Sequence, residues 1–286
     1  MKKIKCAVIG GSGFLGSKVI NELMKLNYIV KNIDISNIAN NKAIKCDIKN
    51  YDKLKKHISD CDYVFHFGGI ADISHANKNP INTIKENIIG SSNIFDICAK
   101  SNVKRIFFAS TLYVYSNAGG FYKSTKQSLE NILETYSRQF NLKFTVLRYG
   151  SIYGLDAQKW NGVYHYLYQA INAGKIVCNG DGEEIREYIH VEDAAKMTIK
   201  TINKKFENKY ITISGINSLK AKDLFVMIQE ILNKKIKIVY KKDKKNNEHY
   251  KTTPYNFNPK RSFKIVPNEF IDLGEGLLEI VEKNFK

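Results

Sequence analysis

Short apolar runs alternate with longer amphipathic stretches through the first two-thirds of the chain. The runs have the length of buried strands, and the stretches have the spacing of helices that pack on one face. The runs cover residues 5–9, 28–33, 62–67, 104–110 and 144–149, with a shorter piece at 43–46. The stretches cover residues 14–26, 51–58, 79–99 and 122–139. This alternation predicts an α/β fold with a Rossmann-type doubly wound parallel sheet and helices on both faces.

The pattern loosens after residue 150. It predicts helices at 162–173, 191–205 and 219–233, short strands at 210–213 and 236–240, and a polar loop at 241–253. Because no Pro- or Gly-rich linker separates the two parts, we expect residues 151–286 to form a smaller α/β substrate lobe. This lobe would pack on a domain of residues 1–150 and would not fold independently. Parallel sheets bind ligands beyond the carboxyl ends of their strands, so functional residues are expected there.

A glycine-rich turn follows the first predicted strand directly. Its sequence is Gly10-Gly11-Ser12-Gly13-Phe14-Leu15-Gly16. Gly10 allows a tight turn, Gly13 lets the backbone approach a pyrophosphate, and Gly16 lets the new helix lie close to the sheet. A glycine-rich turn without a ligand is the alternative. Since a strand precedes the turn and a helix follows it, we expect residues 10 and 12–16 to bind a dinucleotide.

Asp34 ends the second predicted strand, and its position decides between the two common dinucleotides. A carboxylate there can accept hydrogen bonds from both hydroxyls of a ribose. The same carboxylate would repel the 2′-phosphate of NADP, and no arginine lies nearby in the sequence to receive that phosphate. The sequence therefore predicts NAD as the cofactor.

A second group of polar residues follows the fourth long apolar run. Ser110 and Thr111 end that run, and Tyr122 and Lys126 follow with the spacing of one helical turn. A free tyrosine has a pKa of about 10, too high for a base near neutrality. A neighbouring lysine ammonium and the positive nicotinamide favour the phenolate. We therefore expect Tyr122 to act as a general base, although an ordinary exposed helix pair is the alternative.

The composition limits the possible partners. A net charge of +17 can indicate a nucleic-acid or membrane-surface protein. Here the lysines are spread along the chain without a recognisable nucleic-acid module, so we interpret them as a solvated surface. The longest apolar runs are too short for a membrane span. Five cysteines without metal-ligand spacing predict reduced thiols and a cytoplasmic protein with no bound metal.

Together these motifs resemble the extended short-chain dehydrogenase/reductases, specifically the NAD-dependent epimerase/dehydratase group that acts on nucleotide sugars. The resemblance runs nearly end to end, from the glycine turn to a segment at residues 188–193. It implies that Lys126 also holds the nicotinamide ribose and that Asp47 contacts adenine. The further cofactor-binding residues that it implies are Ile48, Phe67, Gly68, Gly69, Asn87 and Ser110.

The resemblance also implies a reaction and the residues that bind its substrate. Tyr122 would deprotonate a sugar hydroxyl while the adjacent carbon gives hydride to NAD, and Thr111 would orient that hydroxyl. Ser151 stands where relatives often have asparagine against the substrate. Arg186 would meet a substrate phosphate, with a surface salt bridge to Glu183 or Glu187 as the alternative.

Departures from the family pattern shape the expected activity. Dehydratases of this group usually place Asp-Glu after the catalytic Ser/Thr, whereas Leu112 and Tyr113 stand here, so dehydration is disfavoured. Ser151 and the loop of only ten residues between Thr111 and Tyr122 leave the sugar open. We expect oxidation at C4 of a nucleotide-diphosphate sugar, by a 4-epimerase or a 4-dehydrogenase. A 4-keto reductase would use the same residues, and a non-catalytic NAD-binding regulator is the alternative from another class.

The resemblance further implies a homodimer. The helices predicted at 80–99 and 122–139 are similar to the pairs that form an intersubunit bundle in relatives, and two-fold assembly is the commonest mode. His66 and His190 are expected to be structural rather than catalytic, because neither has a metal-ligating partner at useful spacing.

Overall fold

The computed structural model describes residues 3–36, 43–241, 249–254 and 262–285. The strands are β1 Lys5–Ile9, β2 Ile29–Asp34, β3 Ile44–Lys45, β4 Tyr63–His66, β5 Arg105–Thr111, β6 Phe144–Tyr149, β7 Ser151–Tyr153, β8 Lys175–Asn179, β9 Ile185–His190, β10 Lys209–Ile213, β11 Ser218–Lys220, β12 Lys237–Lys241 and β13 Ser262–Ile265. The helices are α1 Phe14–Lys25, α2 Tyr51–Ile58, α3 Ile73–Lys78, α4 Pro80–Ile84, α5 Gly90–Ala99, α6 Gly120–Phe140, α7 Gly162–Ala173, α8 Val191–Lys200, α9 Ala221–Leu232 and α10 Leu273–Asn284.

Eight parallel strands form the central sheet, in the order β13-β10-β6-β5-β4-β1-β2-β3. The order reverses between β1 and β4, so the connections that follow these two paired strands lead away in opposite directions and leave a crevice, which is where such sheets bind ligands. The predicted α/β class and doubly wound parallel sheet are confirmed. The glycine turn after β1 and the Ser110-Thr111 end of β5 both lie along the carboxyl edge of this sheet.

Helices cover both faces of the sheet because each presents an apolar stripe to it. On one face, α2, α5 and α6 bury residues such as Leu54, Phe95 and Leu129 in a common core. On the other, α1 and α8 bury residues such as Leu23 and Met197. Strands buried on both faces are mostly apolar, which explains why the sequence shows them as nearly continuous apolar runs.

The residues after 150 are distributed between the central sheet and the smaller lobe, whereas the sequence predicted that they all belong to the smaller lobe. Strands β10 and β13 join the edge of the central sheet next to β6, so residues beyond 150 complete the first domain. The remaining lobe contains a three-stranded sheet, β11-β9-β7, and the pair β12-β8. Helices α7, α9 and α10 contribute buried residues to the lobe's own apolar core. The boundary expected at residue 150 therefore does not coincide with the edge of the sheet.

Some predicted elements are shorter or interrupted in the structure. The helix expected at 191–205 ends at Lys200 and is followed by a short 3-10 turn, Lys204–Phe206. The helix expected at 79–99 is α4 and α5 joined by a π-helical turn, Lys85–Ile89. π-helical turns often occur at functional sites, and this one contains the buried Asn87. Of the loop expected at 241–253, residues 242–248 lie outside the described residues.

Candidate active site

The glycine turn has the geometry that a phosphate cradle needs. Gly10 has a φ of +76°, and a Cβ there would lie 2.7 Å from the backbone nitrogen of Gly68. A Cβ on Gly16 would lie 2.2 Å from the carbonyl oxygen of Gly10, so the first turn of α1 packs directly on the turn before it. Neither position can accept a side chain without moving the backbone. The turn therefore stays open to a ligand at the start of α1.

The N-terminus of α1 supplies the donors for this cradle. The helix follows Gly13, which has no side chain to cap it, and Phe14 and Leu15 form its first positions. The first amides of a helix have no partner within the helix, and its dipole favours an anion. A pyrophosphate fits this cradle by its charge and its need for donors.

Asp34 is linked to the glycine turn by hydrogen bonds. Its Oδ2 accepts from the backbone nitrogen of Ser12 at 3.0 Å. Its Oδ1 accepts from the backbone nitrogen and the hydroxyl of Ser36, at 3.0 and 2.8 Å. Since a carboxylate has about four acceptor positions, capacity remains for a ribose hydroxyl. The carboxylate is thus fixed beside the cradle, as the sequence predicts.

Asp47 and Ile48 lie at the start of the loop after β3. Asp47 accepts from the backbone nitrogen of Lys49 at 2.8 Å and forms an ion pair with the ammonium of Lys49 at 3.0 Å. Ile48 is buried, and its side chain occupies the space that a Cβ on Gly90 would need. Asp47 therefore has a protein partner for its charge, and Ile48 contributes packing against α5.

The loop after β4 is held by Asn87. The Oδ1 of Asn87 accepts from the backbone nitrogen of Ile70 at 2.7 Å, and its Nδ2 donates to the carbonyl oxygen of Ile70 at 3.0 Å. The same Nδ2 donates to the hydroxyl of Thr125 on α6 at 3.0 Å. Both amide hydrogens of Asn87 are thus used within the protein. Asn87 links the loop of Phe67, Gly68 and Gly69 to the helix that carries Tyr122 and Lys126.

Thr111 and Tyr122 meet at the carboxyl end of β5. Their side chains form a hydrogen bond, and Thr111 is buried. Thr111 is the last residue of the strand, and Tyr122 lies in the first turn of α6. The connection between them has only ten residues, and it brings the start of α6 back to the end of β5. The structure thereby brings together two of the three predicted catalytic residues.

The pKa of Tyr122 differs from the expectation. Burial raises it to about 12, and the hydrogen bond with Thr111 opposes that rise. The spacing of Tyr122 and Lys126 predicted that the lysine favours the phenolate, and the structure corrects this for the protein itself. Burial is the larger effect because removing a phenolate from water is costly. The positive charge of bound NAD would be needed to bring the pKa down.

Lys126 is buried beside β5. Its ammonium donates to the carbonyl oxygen of Ala109 at 2.8 Å and lies 4.8 Å from the centre of the Phe108 ring. Burial lowers the pKa of Lys126 to about 8, and the carboxylate of Glu130 opposes that change. An ammonium has three donors, so hydrogens remain for a ribose hydroxyl. Lys126 is therefore neither exposed nor part of an ordinary surface pair.

Ser110 lies next to Thr111 but has a different partner. Its hydroxyl donates to Oε1 of Glu130 on α6 at 2.6 Å, and the residue is buried. The hydroxyl hydrogen is therefore used within the protein rather than presented at the carboxyl edge of the sheet.

Ser151 and Arg186 share one neighbour that the sequence does not indicate. The side chain of Ser151 forms a hydrogen bond with the hydroxyl of Tyr250. The guanidinium of Arg186 lies 4.2 Å above the ring of Tyr250 and donates to the carbonyl oxygen of Ile185. Tyr250 is 6% exposed. A single aromatic ring thus joins the two predicted substrate-binding residues.

The two carboxylates considered as salt-bridge partners of Arg186 are paired with other residues. Glu183 forms ion pairs with Lys220 and Lys222, and Glu187 accepts hydrogen bonds from Ser214 and Lys264. Arg186 instead places its guanidinium against the aromatic face of Tyr250.

Tyr113, two residues after Thr111, has partners in the site that the sequence motifs do not reveal. Its hydroxyl forms a 2.6 Å hydrogen bond with Nδ1 of His249. Its ring lies 4.5 Å from that of Tyr250 and 6.3 Å from that of Tyr122. The segment 249–254 therefore lies over the candidate site. Its backbone is also fixed to β9, because the nitrogen of Ile185 donates to the carbonyl oxygen of Lys251 at 2.7 Å.

The two histidines singled out in the sequence lie inside the protein. Nε2 of His66 forms a 2.7 Å hydrogen bond with the hydroxyl of Ser91, and burial lowers the pKa of His66 well below 6.5. Nε2 of His190 lies 3.5 Å from the carboxylate of Glu279. Within the described ranges, no cluster of His, Cys, Asp and Glu could hold a metal ion. Within those ranges, no helix is both long and apolar enough to cross a membrane.

Comparisons with known proteins agree with this geometry. Residues 6–213 match the model of the NAD-dependent epimerase/dehydratase family. The chain is 25% identical to a putative UDP-glucose 4-epimerase of Methanocaldococcus jannaschii, over 96% of both chains.

Two solved structures have the same fold over nearly their whole length. One is the UDP-glucose 4-epimerase of Thermotoga maritima with UDP-glucose, with a TM-score of 0.83 at 25% identity over 98% of each chain. The other is the UDP-N-acetylglucosamine 4-epimerase of Methanobrevibacter ruminantium M1 in complex with UDP-N-acetylmuramic acid. Its TM-score is also 0.83 at 25% identity, over 99% of this chain and 98% of that chain.

Proposed function

The chain belongs to the NAD-dependent epimerase/dehydratase family, and we propose that it oxidises C4 of a nucleotide-diphosphate sugar, as a 4-epimerase or a 4-dehydrogenase. The observation that carries this proposal is the hydrogen-bonded pair of Thr111 and Tyr122. Lys126 follows on the same helix, and its buried ammonium is held at Ala109 of β5. The similar proteins named above are, by name, 4-epimerases of UDP-sugars, so UDP-sugars are the first substrates to test.

NAD fits the residues that would hold it. The pyrophosphate would lie on the first amides of α1, over the turn at Gly10 and Gly13, and the adenosine ribose would meet Asp34. Phe14 and Leu15 supply those amides. Lys126 has donors left for the nicotinamide ribose. When bound, NAD supplies a hydride acceptor and a positive charge at the nicotinamide.

The proton step is assigned to Tyr122. The phenolic oxygen would take the proton of the sugar 4-hydroxyl. Thr111, whose hydroxyl bonds Tyr122, would orient that sugar hydroxyl by a separate hydrogen bond to it. The raised pKa of Tyr122 makes it a strong base once it is ionised. Lys126 does not offset the effect of burial in the protein itself, so the nicotinamide charge of bound NAD would have to add to that of Lys126 to favour ionisation. With a pKa of about 8, Lys126 is mostly protonated at neutral pH, as this role requires.

The fate of the keto-sugar after oxidation depends on the groups around it. Leu112 is fully buried, and the hydroxyl of Tyr113 is engaged by His249. Neither provides the carboxylic acid and carboxylate pair that the related dehydratases use. An epimerase would return hydride to the other face of C4, and a dehydrogenase would release the 4-keto product. A 4-keto reductase would run the same proton step in reverse from Tyr122.

The substrate is proposed to reach the site between the sheet edge and the smaller lobe. Arg186 would receive the diphosphate, because a guanidinium offers several donors to phosphate oxygens. Ser151 would contact the sugar or its nucleotide. Both now contact Tyr250, so binding would rearrange that contact.

We extend the proposal to the assembly and the compartment. A homodimer is supported by exposed apolar side chains along α4, the π-helical turn and the start of α6: Ile81, Ile89 and Phe121. A cytoplasmic location is supported by five cysteines that are all buried and free of disulfides. Sedimentation at micromolar concentration should give twice the mass of one chain, and a single-chain mass would remove the dimer from the proposal.

The function is tested by turnover of UDP-, GDP- and dTDP-sugars with Tyr122→Phe as the key variant. This change keeps the ring but removes the proton acceptor, so turnover should fall by about 10²–10⁴-fold while NAD still binds. Phe121→Tyr is the control, because it changes the neighbouring aromatic residue by one hydroxyl without touching Tyr122. It should leave turnover near that of the wild type. Near-normal turnover by Tyr122→Phe would overturn the mechanism and favour a non-catalytic NAD-binding regulator.

A further inference from the structure

A charged pair lies completely inside the protein next to the candidate active site. Glu130 and Arg148 are 2% and 1% exposed. Nη2 of Arg148 donates to Oε2 of Glu130 at 2.5 Å, and Nε donates to Oε1 at 3.0 Å. Burying two charges costs several kcal/mol for each ion, and apolar residues of similar volume often give equal or better stability. Stability alone is therefore a weak reason for this pair.

The pair connects the three parts of the chain that carry the predicted catalytic residues. Glu130 lies one helical turn after Lys126 on α6 and accepts from the hydroxyl of Ser110, the neighbour of Thr111 on β5. Arg148 donates through Nη1 to the hydroxyl of Tyr115, which lies in the connection between Thr111 and Tyr122. One ion pair thus holds the end of the strand, the connection and the helix.

Arg148 is further restrained by two aromatic rings. Its guanidinium lies 4.5 Å from the centre of the Tyr115 ring and 4.5 Å from that of Tyr210. A planar guanidinium stacked in this way has little freedom to rotate away from Glu130. The carboxylate is therefore fixed in orientation as well as in position.

Glu130 also acts on the charge of Lys126. Burial favours the neutral amine of Lys126, and the carboxylate of Glu130 counteracts this, which leaves the pKa of Lys126 at about 8. The other groups around Lys126 do not replace that carboxylate. Tyr122 on the same helix is a neutral phenol below its raised pKa, and His66 on β4 is a neutral imidazole. Arg148 on β6 is a cation, and Ala109 offers only a carbonyl oxygen.

We propose that Glu130 and Arg148 are positioning residues for the reaction: Glu130 places a fixed carboxylate one helical turn from Lys126 and holds Ser110, while Arg148 fixes Glu130 and the connection through Tyr115. This inference rests on the proposed function, since it assigns how that site is kept competent. Ser110 then serves Thr111 by holding the end of β5, and its role toward the cofactor is indirect.

Glu130→Gln provides the test, because glutamine keeps an acceptor for Ser110 but removes the charge. On the alkaline side of the pH profile, kcat/KM should begin to fall at a pH about one unit or more lower than in the wild type. The reason is that Lys126 loses its proton at a lower pH without the carboxylate. At pH 6.5 the variant should retain much of its activity. Glu134→Gln is the matched control, since Glu134 lies one turn further along α6 and bonds Tyr210 instead. An alkaline limb at the wild-type pH in Glu130→Gln would overturn the proposal.

A second variant covers the case in which Glu130→Gln does not fold, because it leaves Arg148 as an unpaired buried cation. The double variant Glu130→Gln with Arg148→Met removes both charges. Its alkaline shift should have the same sign as that of Glu130→Gln but be smaller, because the cation that opposed the effect of Glu130 is also gone. A ¹⁵N NMR titration of the Lys126 side-chain nitrogen, assigned with Lys126→Arg, measures the effect without turnover. If no nucleotide sugar is turned over, this titration still decides the inference: an unchanged Lys126 midpoint in the variants would refute it.

Discussion

The ammonium of Lys126 lies 2.8 Å from the carbonyl oxygen of Ala109 and donates a hydrogen bond to it. Ala109 precedes Ser110 and Thr111 on β5, so this bond fixes helix α6 to strand β5 two residues before the strand ends. The lysine therefore has a structural partner even without a ligand. A residue with both roles should affect binding and rate together when it is changed.

We predict that Lys126→Ala weakens NAD binding and lowers kcat/KM by at least about 10²-fold. The loss has two causes: a missing donor toward the ribose and a missing positive charge beside Tyr122. NAD titration followed by steady-state kinetics measures both effects. Lys123→Ala on the same helix is the control and should leave both values near those of the wild type. Unchanged NAD affinity in Lys126→Ala would show that the lysine does not contact the cofactor.

We predict different outcomes for two substitutions of Thr111. Thr111→Ser keeps the hydroxyl that bonds Tyr122 and should retain much of the activity. Thr111→Val has nearly the same shape but leaves the Tyr122 hydroxyl without this partner, so kcat should fall by about 10-fold or more. Comparing kcat at saturating substrate separates the two variants. Equal activity of the serine and valine variants would mean that the hydroxyl has no part in the reaction.

We predict that Asp34→Ala relaxes the preference for NAD over NADP. The carboxylate is held beside the glycine turn by the amide of Ser12, where the adenosine ribose is expected. Removing it ends the repulsion of a 2′-phosphate and also removes an acceptor for the ribose hydroxyls. The ratio of dissociation constants should therefore move toward unity. Wild-type protein that binds NADP as tightly as NAD would contradict the basis of this prediction.

The sequence predicts the parts of this fold that have a strong local signal. Strands β1 and β6 and helix α7 have the predicted bounds, because their apolar positions are regular and their ends are marked by glycine or polar residues. The strands β8, β9 and β13 were missed since each is short and contains a charged residue that weakens its apolar pattern.

The residues of the candidate site also differ in how well the sequence predicts them. The pairing of Thr111 with Tyr122 follows from adjacent elements, and the sequence motif located both residues. Tyr250 and His249 come from a segment more than a hundred residues further along the chain, without helical or strand periodicity to indicate where it lies. The pKa of Tyr122 also could not be predicted, because burial depends on packing of the whole fold.

We predict that buried histidines make the protein less stable below pH 6.5. His66 has a folded-state pKa well below 6.5 because it is buried, whereas the unfolded chain titrates near that value. Below pH 6.5 the unfolded state therefore binds a proton that folded His66 cannot, and the free energy of unfolding falls. The fall approaches about 1.4 kcal/mol per pH unit for each such histidine. Above pH 7.5 this contribution to the pH dependence disappears.

Urea unfolding at pH 7.5 and pH 5.5 measures this dependence. His66→Asn lowers the stability at both pH values because it removes a packed ring, but the difference between the two should shrink. The control is His75→Asn, at an exposed position on α3, which should leave the difference unchanged. An identical pH dependence in His66→Asn and the wild type would contradict the assignment.

We predict that Tyr250→Ala lowers the KM for the nucleotide sugar and leaves kcat nearly unchanged. The Tyr250 ring lies under the guanidinium of Arg186, and its hydroxyl bonds Ser151, so both proposed substrate contacts must release it. A desolvated cation–π contact is worth up to about 2 kcal/mol, and a tenfold decrease in KM corresponds to about 1.4 kcal/mol.

Tyr250→Phe keeps the ring and frees only Ser151, so its KM should lie between those of wild type and Tyr250→Ala. Tyr240→Ala, at an exposed position on β12, is the control. A higher KM in Tyr250→Ala would mean instead that the ring forms part of the wall that holds the bound sugar nucleotide.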